Sequence, residues 1–247
     1  MSASALAALV RSSGSTVALT GAGISVPSGI PDFRSPGTGL WENVNPMEVA
    51  HIDAWREDPE RFWRFYGERF NALQSREPNG AHTALAELEA RGLLDAVVTQ
   101  NIDTLHRRAG SREVIEVHGT IEHSSCLACG ERHPLAEVRS RIGAAPDGVP
   151  RCRQGDPLKP DVVLFGEMLP VAELERAQEL AAGADLLLCV GSSLEVQPVA
   201  SLPAVTLASG GAVAIVTQGP TPFDDAAAVR LDGDVVDELE ALLAELD

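Results

Sequence analysis

A few short stretches of this chain hold the residue types that do chemistry. Gly21, Ala22 and Gly23 follow the apolar run 17–19, and Ser25 stands two residues further on. Glycines directly after a strand let the backbone approach a ligand, and the next helix start offers unpaired amides and a positive dipole end to phosphate. A tight strand–loop turn accounts for the same glycines. The full dinucleotide fingerprint is broken, because Val26 stands where its third glycine belongs. No strand-end acid for a ribose follows about twenty residues on, so an ordinary hydride-transfer enzyme is a poor fit. Gln100, Asn101, Ile102 and Asp103 follow the apolar run 96–98. Their amides and carboxylate could hydrogen-bond a carboxamide and ribose hydroxyls; Asp103 could equally cap a helix over 104–109. His118 ends the run 114–117. An imidazole there can take a proton near neutral pH, though most histidines are only packed or solvated. Gly191, Ser192 and Ser193 end the run 186–190. Cys126 and Cys129 have the spacing of half a zinc knuckle.

Parallel strands are needed to bring these groups together. Apolar β-type runs recur at 17–19, 96–98, 114–117, 162–165, 186–190 and 213–216. Several are apolar on both faces, as buried parallel strands are. Helical periodicity fills 81–91, 171–182 and 235–246. The alternation predicts an α/β fold with a Rossmann-like doubly wound parallel sheet. The C-terminal strand ends of such a sheet share one edge, where ligands bind, and four of the stretches above sit at such ends. Two segments break the rhythm and predict a smaller inserted lobe. One is a helical module over 35–79, containing a helix over 58–75 with Asp58 as N-cap and Pro59 in its first turn. The other is a zinc-ribbon-like module over 122–160, which carries three of the four cysteines. The Rossmann-like domain then comprises 1–34, 80–121 and 161–247.

Hydrophobic residues make up 45% of the 247, enough to fill a core. The formal net charge of -17 argues against direct capture of nucleic acid. No apolar run approaches the length of a membrane span. Residues 1–15 read as an amphipathic helix interrupted by Arg11 rather than a signal peptide. These features predict a cytoplasmic protein without a membrane partner, in which thiols stay reduced. Cys126, Cys129, Cys152 and Cys189 then stand for metal, catalysis or burial rather than disulfides, and Cys189 inside its apolar run reads as a small buried hydrophobe.

In order along the chain, GAGIS, GIPDFR, TQNID, VIEVHG, CLAC, KPDVVLFGE and GSSLEV resemble the motifs of the sirtuins, the NAD-dependent protein lysine deacylases. The likeness runs from about 17 to 199 and is weaker beyond. It implies NAD in the cleft between the large domain and the small lobe, with an acyl-lysine protein or peptide entering from the opposite side. In the implied reaction the acyl oxygen attacks the nicotinamide ribose, nicotinamide leaves, and the acyl group moves to ADP-ribose. Gly21, Ala22 and Gly23 would approach the pyrophosphate. Residues 25–34, with Ser25 and Asp32, would form a mobile cofactor loop, in which Phe33 shields the electron-poor sugar from water and Arg34 holds phosphate. Asn101 and Asp103, with Ile102 between them, would grip the carboxamide, and Gln100 the ribose. His118 would be the general base, with Asn101 as the second catalytic residue. Gly191, Ser192 and Ser193 would hold the adenosine side. Many sirtuins place an asparagine after the sixth strand, where this chain has Thr217, whose hydroxyl can still donate to a ribose oxygen. Val163, Phe165 and Gly166 would bind substrate, their strand either pairing with the peptide backbone or serving as an ordinary core strand.

The resemblance also implies zinc on two Cys-x-x-Cys pairs. This chain keeps Cys126, Cys129 and Cys152, but Gly155 stands where the fourth cysteine would fall. Asp156, His133 or water could complete four ligands, or the metal could be lost. Tyr66 and Arg69 lie three apart on the helix over 58–75 and share a face. Arg61 has Glu57 or Asp58 within reach, and Arg64 has Glu60 or Glu68, whereas Arg69 has no helical acid neighbour. A guanidinium beside a tyrosine hydroxyl could bind a carboxylate from elsewhere. The Y-x-x-R pair resembles the sirtuin subgroup that removes succinyl, malonyl or glutaryl groups; a solvated Arg69 beside a packed Tyr66 is the alternative. The expected activity is NAD-dependent removal of succinyl, malonyl and acetyl groups from protein lysines. Protein ADP-ribosyl transfer and a non-catalytic NAD or protein-binding module are the alternatives, and the retained Asn101, Asp103 and His118 speak against the second.

Overall fold

The computed structural model describes residues 2–32 and 45–247. Its main elements are α1 (Ala3–Ser12), β1 (Thr16–Thr20), a 3-10 helix (Ala22–Ser28), α2 (Pro46–Val49), α3 (Ile52–Glu57), α4 (Pro59–Gln74), α5 (Gly80–Ala90), β2 (Ala96–Thr99), α6 (Leu105–Ala109), β3 (Val114–Glu116), β4 (Gly119–Cys126), β5 (Arg132–Pro134), α7 (Leu135–Ala144), β6 (Leu158–Val162), α8 (Val171–Gly183), β7 (Leu186–Val190), α9 (Leu202–Ala208), β8 (Ala212–Val216), β9 (Val229–Leu231) and α10 (Val235–Leu246). Among the described residues no helix is long and apolar enough to cross a membrane.

Six strands pair in the order β3-β2-β1-β7-β8-β9, all parallel. Every residue of β1, β2 and β7 is buried, because helices cover both faces. Alternation along each strand divides them. Ala18, Val97, Leu188 and Ala214 face one side and pack with Leu6 and Val10 of α1, Leu85 and Leu88 of α5, and Leu239 and Leu242 of α10. Val17, Leu19, Val98, Leu187, Cys189 and Ile215 face the other and pack with Ala177 and Ala181 of α8 and Leu202 of α9. Fully burying one such aliphatic side chain contributes about 1.5–3 kcal/mol, so the two clusters fix the sheet and its register. The chain leaves β1 toward β2 on one side and returns at β7 on the other. That is the switch point at which open α/β sheets bind ligands.

The small lobe has its own core. Phe62, Trp63 and Phe70 of α4 pack with Ile121, Leu158 and Val162 from a three-stranded antiparallel sheet, β5-β4-β6. The indole N–H groups of Trp55 and Trp63 both donate to the Leu158 carbonyl, at 3.2 and 2.9 Å, which ties α3 and α4 to β6. Asp58 caps α4 by accepting from the Arg61 amide at 2.9 Å, as its sequence predicts.

One expectation needs correction. The run 162–165 is not a strand of the parallel sheet: β6 ends at Val162 and pairs antiparallel with β4. The sixth parallel strand is β9, Val-Arg-Leu, too short for its alternation to stand out in sequence. The segment 122–160 holds β5, α7 and most of β4 and β6.

Candidate active site

The ends of β1 and β7 meet backbone to backbone. Gly21 N–H donates to Val190 O at 3.2 Å and Gly23 N–H to Gly191 O at 2.8 Å. A Cβ on Gly23 would lie 2.8 Å from Gly191 O, and one on Gly191, whose φ is +61°, would lie 2.2 Å from Ile24 N. The contact between the two turns therefore needs glycine at both positions. Ala22 is half-buried between them. Ser25 does not open a loop, as expected from sequence, but is buried within the 3-10 helix. Asn79 Nδ2 holds that helix by donating to Ile24 O at 2.8 Å and Ser28 Oγ at 2.9 Å. Asp32 follows it, half-buried. Phe33 and Arg34 lie outside the described residues.

Beneath the strand ends runs a buried polar network. Asn101 Nδ2 donates to Gly21 O and to Ser25 Oγ, both at 3.1 Å. Ser25 Oγ donates to Asp103 Oδ2 at 2.7 Å, and Asp103 Oδ1 accepts from Leu105 N at 2.9 Å. Asp103 thus both caps the start of α6 and fixes Ser25. His82 Nδ1 accepts from Asn79 N, which leaves Nε2–H facing Ser25 Oγ at 3.4 Å. His106 Nε2 lies 2.9 Å from Thr20 Oγ1, which bonds Thr99 Oγ1 at 2.8 Å. Burial pushes His82 down to about 4 and His106 to about 3, with His82 adding to the second shift. Both rings are neutral at pH 7. Burial raises the Asp103 carboxyl above the ordinary range, against the pull of the Leu105 amide and the Ser25 hydroxyl. Asn101 spends its amide on this network, and its Oδ1 accepts no hydrogen bond among the described residues. Nothing in the sequence marks His82 or His106 beyond their place on buried helix faces.

His118 sits one strand over. Its Nδ1 lies 2.9 Å from Gln100 O. A carbonyl can only accept, so Nδ1 carries the proton and Nε2 keeps its lone pair. Burial holds His118 below the usual imidazole range, and the Gln100 carbonyl opposes that shift. Gln100 Nε2 donates to Ser192 Oγ at 2.9 Å, linking the β2 and β7 ends. Ser193 is exposed beside Ser192. Thr217, buried at the end of β8, is anchored by its N–H to Leu231 O at 3.1 Å. The polar ends of β1, β2, β3 and β7 thus share one edge, as predicted, and the end of β8 joins them.

The groups assigned to substrate lie in the small lobe and its junction. Tyr66 stacks on Phe62, with ring centroids 4.6 Å apart, in the cluster that also holds Ile102. Burial pushes its hydroxyl up to about 12, against the nearby Arg69. Arg69 lies over the Phe65 ring at 4.3 Å and is half-buried, without an acid partner among the described residues. Arg64 pairs with Glu60, as expected, but Arg61 pairs with Glu48 rather than with Glu57 or Asp58. Val163 N–H donates to His118 O at 2.8 Å, and Phe165 exchanges hydrogen bonds with Ala50 O and Ile52 N. Leu164 N–H is taken by Glu167. The backbone left for a peptide is therefore narrower than a free strand edge. Gly166 has φ +84°, and a Cβ there would meet His51 Nε2 at 2.7 Å.

Cys126, Cys129 and Cys152 place their sulfur atoms within 4.8 Å of one another, on two facing turns. Three thiols at that spacing suit zinc, a borderline-soft ion that takes tetrahedral sulfur ligands. Asp156 Oδ2 lies 4.0 Å from Cys152 Sγ. His133 is engaged instead with Glu137 and Glu131, at 3.1 and 3.6 Å. Cys189 is wholly buried in β7, and burial pushes its thiol up, as suits an inert packing residue.

Known proteins are similar to this chain in sequence and fold. The sequence pattern of the Sir2 family matches residues 21–198. The NAD-dependent protein deacetylase of Caldivirga maquilingensis is 47% identical over 242 residues, covering 97% of this chain and 92% of that protein. The NAD-dependent protein deacylase of Thermus thermophilus is 45% identical, covering 91% and 87%. A Sir2 protein bound to a deacetylated p53 peptide and 3'-O-acetyl ADP-ribose superposes with a TM-score of 0.94 at 42% identity, covering 99% of this chain and 98% of that one.

Proposed function

The chain belongs to the Sir2 family, and on that premise we propose that it removes acyl groups from protein lysines at the expense of NAD, taking acyl chains that end in a carboxylate as well as acetyl. NAD-dependent protein deacetylation or deacylation is the activity named for its relatives. The observation that carries the reading is the convergence, at one sheet edge, of the Asn101–Ser25–Asp103 network and an imidazole with a free Nε2.

Bound NAD supplies a ribose carbon that accepts the acyl oxygen once nicotinamide has left. Asn101 Oδ1 and the Asp103 region are the groups available to orient the carboxamide. Ser25 and Gly21 O hold the Asn101 amide, so it is set before any ligand arrives. His118 Nε2 takes the proton of a ribose hydroxyl, and Gln100 O holds the opposite nitrogen in the tautomer this needs. Ser192, Ser193 and Thr217 would offer hydroxyls to the adenosine side, and Ala22 with its glycine neighbours would face the pyrophosphate. Cys126, Cys129 and Cys152 would hold a structural zinc that ties the two turns together.

Selectivity for acidic acyl groups rests on Tyr66 and Arg69. A half-buried guanidinium with no acid partner among the described residues, beside a half-buried phenol, suits a carboxylate. Arg69→Met is expected to lower kcat/KM on a succinyl-lysine peptide by about tenfold to a hundredfold, the worth of a charge-assisted pair. The same peptide carrying acetyl-lysine should change by less than about twofold, because a neutral acyl chain makes no such pair. An unchanged succinyl-to-acetyl ratio would remove the pocket from the account.

A further inference from the structure

Lys159 is the one lysine of this chain; every other basic side chain apart from histidine is arginine. It is buried. Its ammonium lies 2.9 Å from Pro160 O, 2.8 Å from Val162 O and 2.9 Å from Glu167 Oε2. Three donors meet three acceptors, so the buried charge is fully satisfied. The same Glu167 oxygen accepts the Leu164 amide at 2.9 Å, and Glu167 N–H donates to Leu164 O at 3.0 Å. The ion pair therefore closes a turn over 164–167 from below. On the other side Val163 N–H is bonded to His118 O, and Phe165 is bonded to the α2–α3 junction.

We propose that the Lys159–Glu167 pair is a positioning device for the acyl-lysine substrate: it holds 163–166 at the distance from His118 that seats the acyl group. The inference rests on the deacylase reading above. Neither side chain needs to touch substrate. Lys159 sets the backbone of Pro160 and Val162, Glu167 sets Leu164, and Val163 passes that constraint to the carbonyl of His118. A tetrahedral ammonium suits three converging acceptors, whereas the planar fork of arginine does not. That accounts for a lysine at this position in a chain that otherwise uses arginine.

The test compares wild type with Glu167→Gln, Lys159→Arg and Lys159→Met. Glu167→Gln keeps the shape and removes the charge, so it is the variant least exposed to folding failure. Steady-state kinetics are measured with an acyl-lysine peptide and NAD, each varied in turn, beside thermal melting. The KM for peptide is expected to rise about tenfold in Glu167→Gln and more in Lys159→Met, because a buried charge loses its partner. The KM for NAD should stay within about twofold, since the pair bonds to 160–164 and to neither the β1 nor the β7 turn. Lys159→Arg should not restore the peptide KM. Equal changes in both KM values, or a lowered melting temperature with an unchanged peptide KM in Glu167→Gln, would overturn the proposal and leave the pair a structural contact. Wild type that fails to turn over any acyl-lysine peptide would instead sink the deacylase reading itself.

Discussion

An imidazole acts as a base only while one nitrogen is unprotonated. His118 meets that condition through two neighbours: Gln100 O fixes the proton on Nδ1, and burial lowers the basicity of Nε2. The sign of the pH dependence follows. As pH falls through the depressed pKa, Nε2 gains a proton and the base is lost. The acidic limb of kcat/KM is therefore expected below about pH 6.5, the ordinary imidazole value, with a flat profile from pH 7 to 8. His118→Ala should melt within a few degrees of wild type and lose about a hundred- to ten-thousand-fold in acyl transfer. An acidic limb above 6.5, or a folded variant with full activity, would remove His118 from the chemistry. His118, Asn101 and Asp103 were legible in sequence because polar residues at the ends of apolar runs are conspicuous. His82 and His106 were not, because their work is done across the fold, on Ser25 and Thr20.

At the scale of elements, legibility followed burial. β1, β2, β7 and β8 are covered on both faces and read as apolar runs. β9 is three residues with an arginine in the middle, and no run marks it. The apolar stretch after Pro160 misled for a physical reason: Val162 and Leu164 are buried in the small-lobe core, while Phe165 is 46% exposed at its junction. A hydrophobic run records burial, not which sheet provides it. The two cysteine turns show the same limit. Spacing identified Cys126 and Cys129, the family resemblance added Cys152, and the fold brings the three sulfurs within 4.8 Å of one another. Protein purified without chelator should hold about one zinc per chain, and Cys152→Ser should lose most of it. Removing the metal should lower the melting temperature by several degrees, because a ligand of the native state alone stabilises it. Zinc far below one per chain, with melting indifferent to chelator, would show that packing alone holds the lobe.

The described residues form two lobes joined at a seam, the sheet with a cluster on each face and the small lobe with a core of its own. The parallel sheet carries the polar strand ends, and the small lobe carries the aromatic helix with Tyr66 and Arg69. Ile102 packs with the small-lobe cluster although it lies between Asn101 and Asp103. The segment 163–166 bonds to His118 on one side and to 50–52 on the other. On the function proposed, an acyl-lysine would meet NAD at this seam. The net charge of -17 suits cationic protein partners better than anionic ones. The account as a whole turns on one coupling, between loss of the acyl group and breakage of NAD. The most direct measurement incubates the protein with a succinyl- or acetyl-lysine peptide, with and without NAD, and quantifies nicotinamide, free-lysine peptide and O-acyl-ADP-ribose together. The account predicts that the three products appear in equal amounts and that none forms without NAD. Acyl loss in the absence of NAD, or NAD breakage that leaves the peptide acylated and ADP-ribose attached to protein, would contradict it.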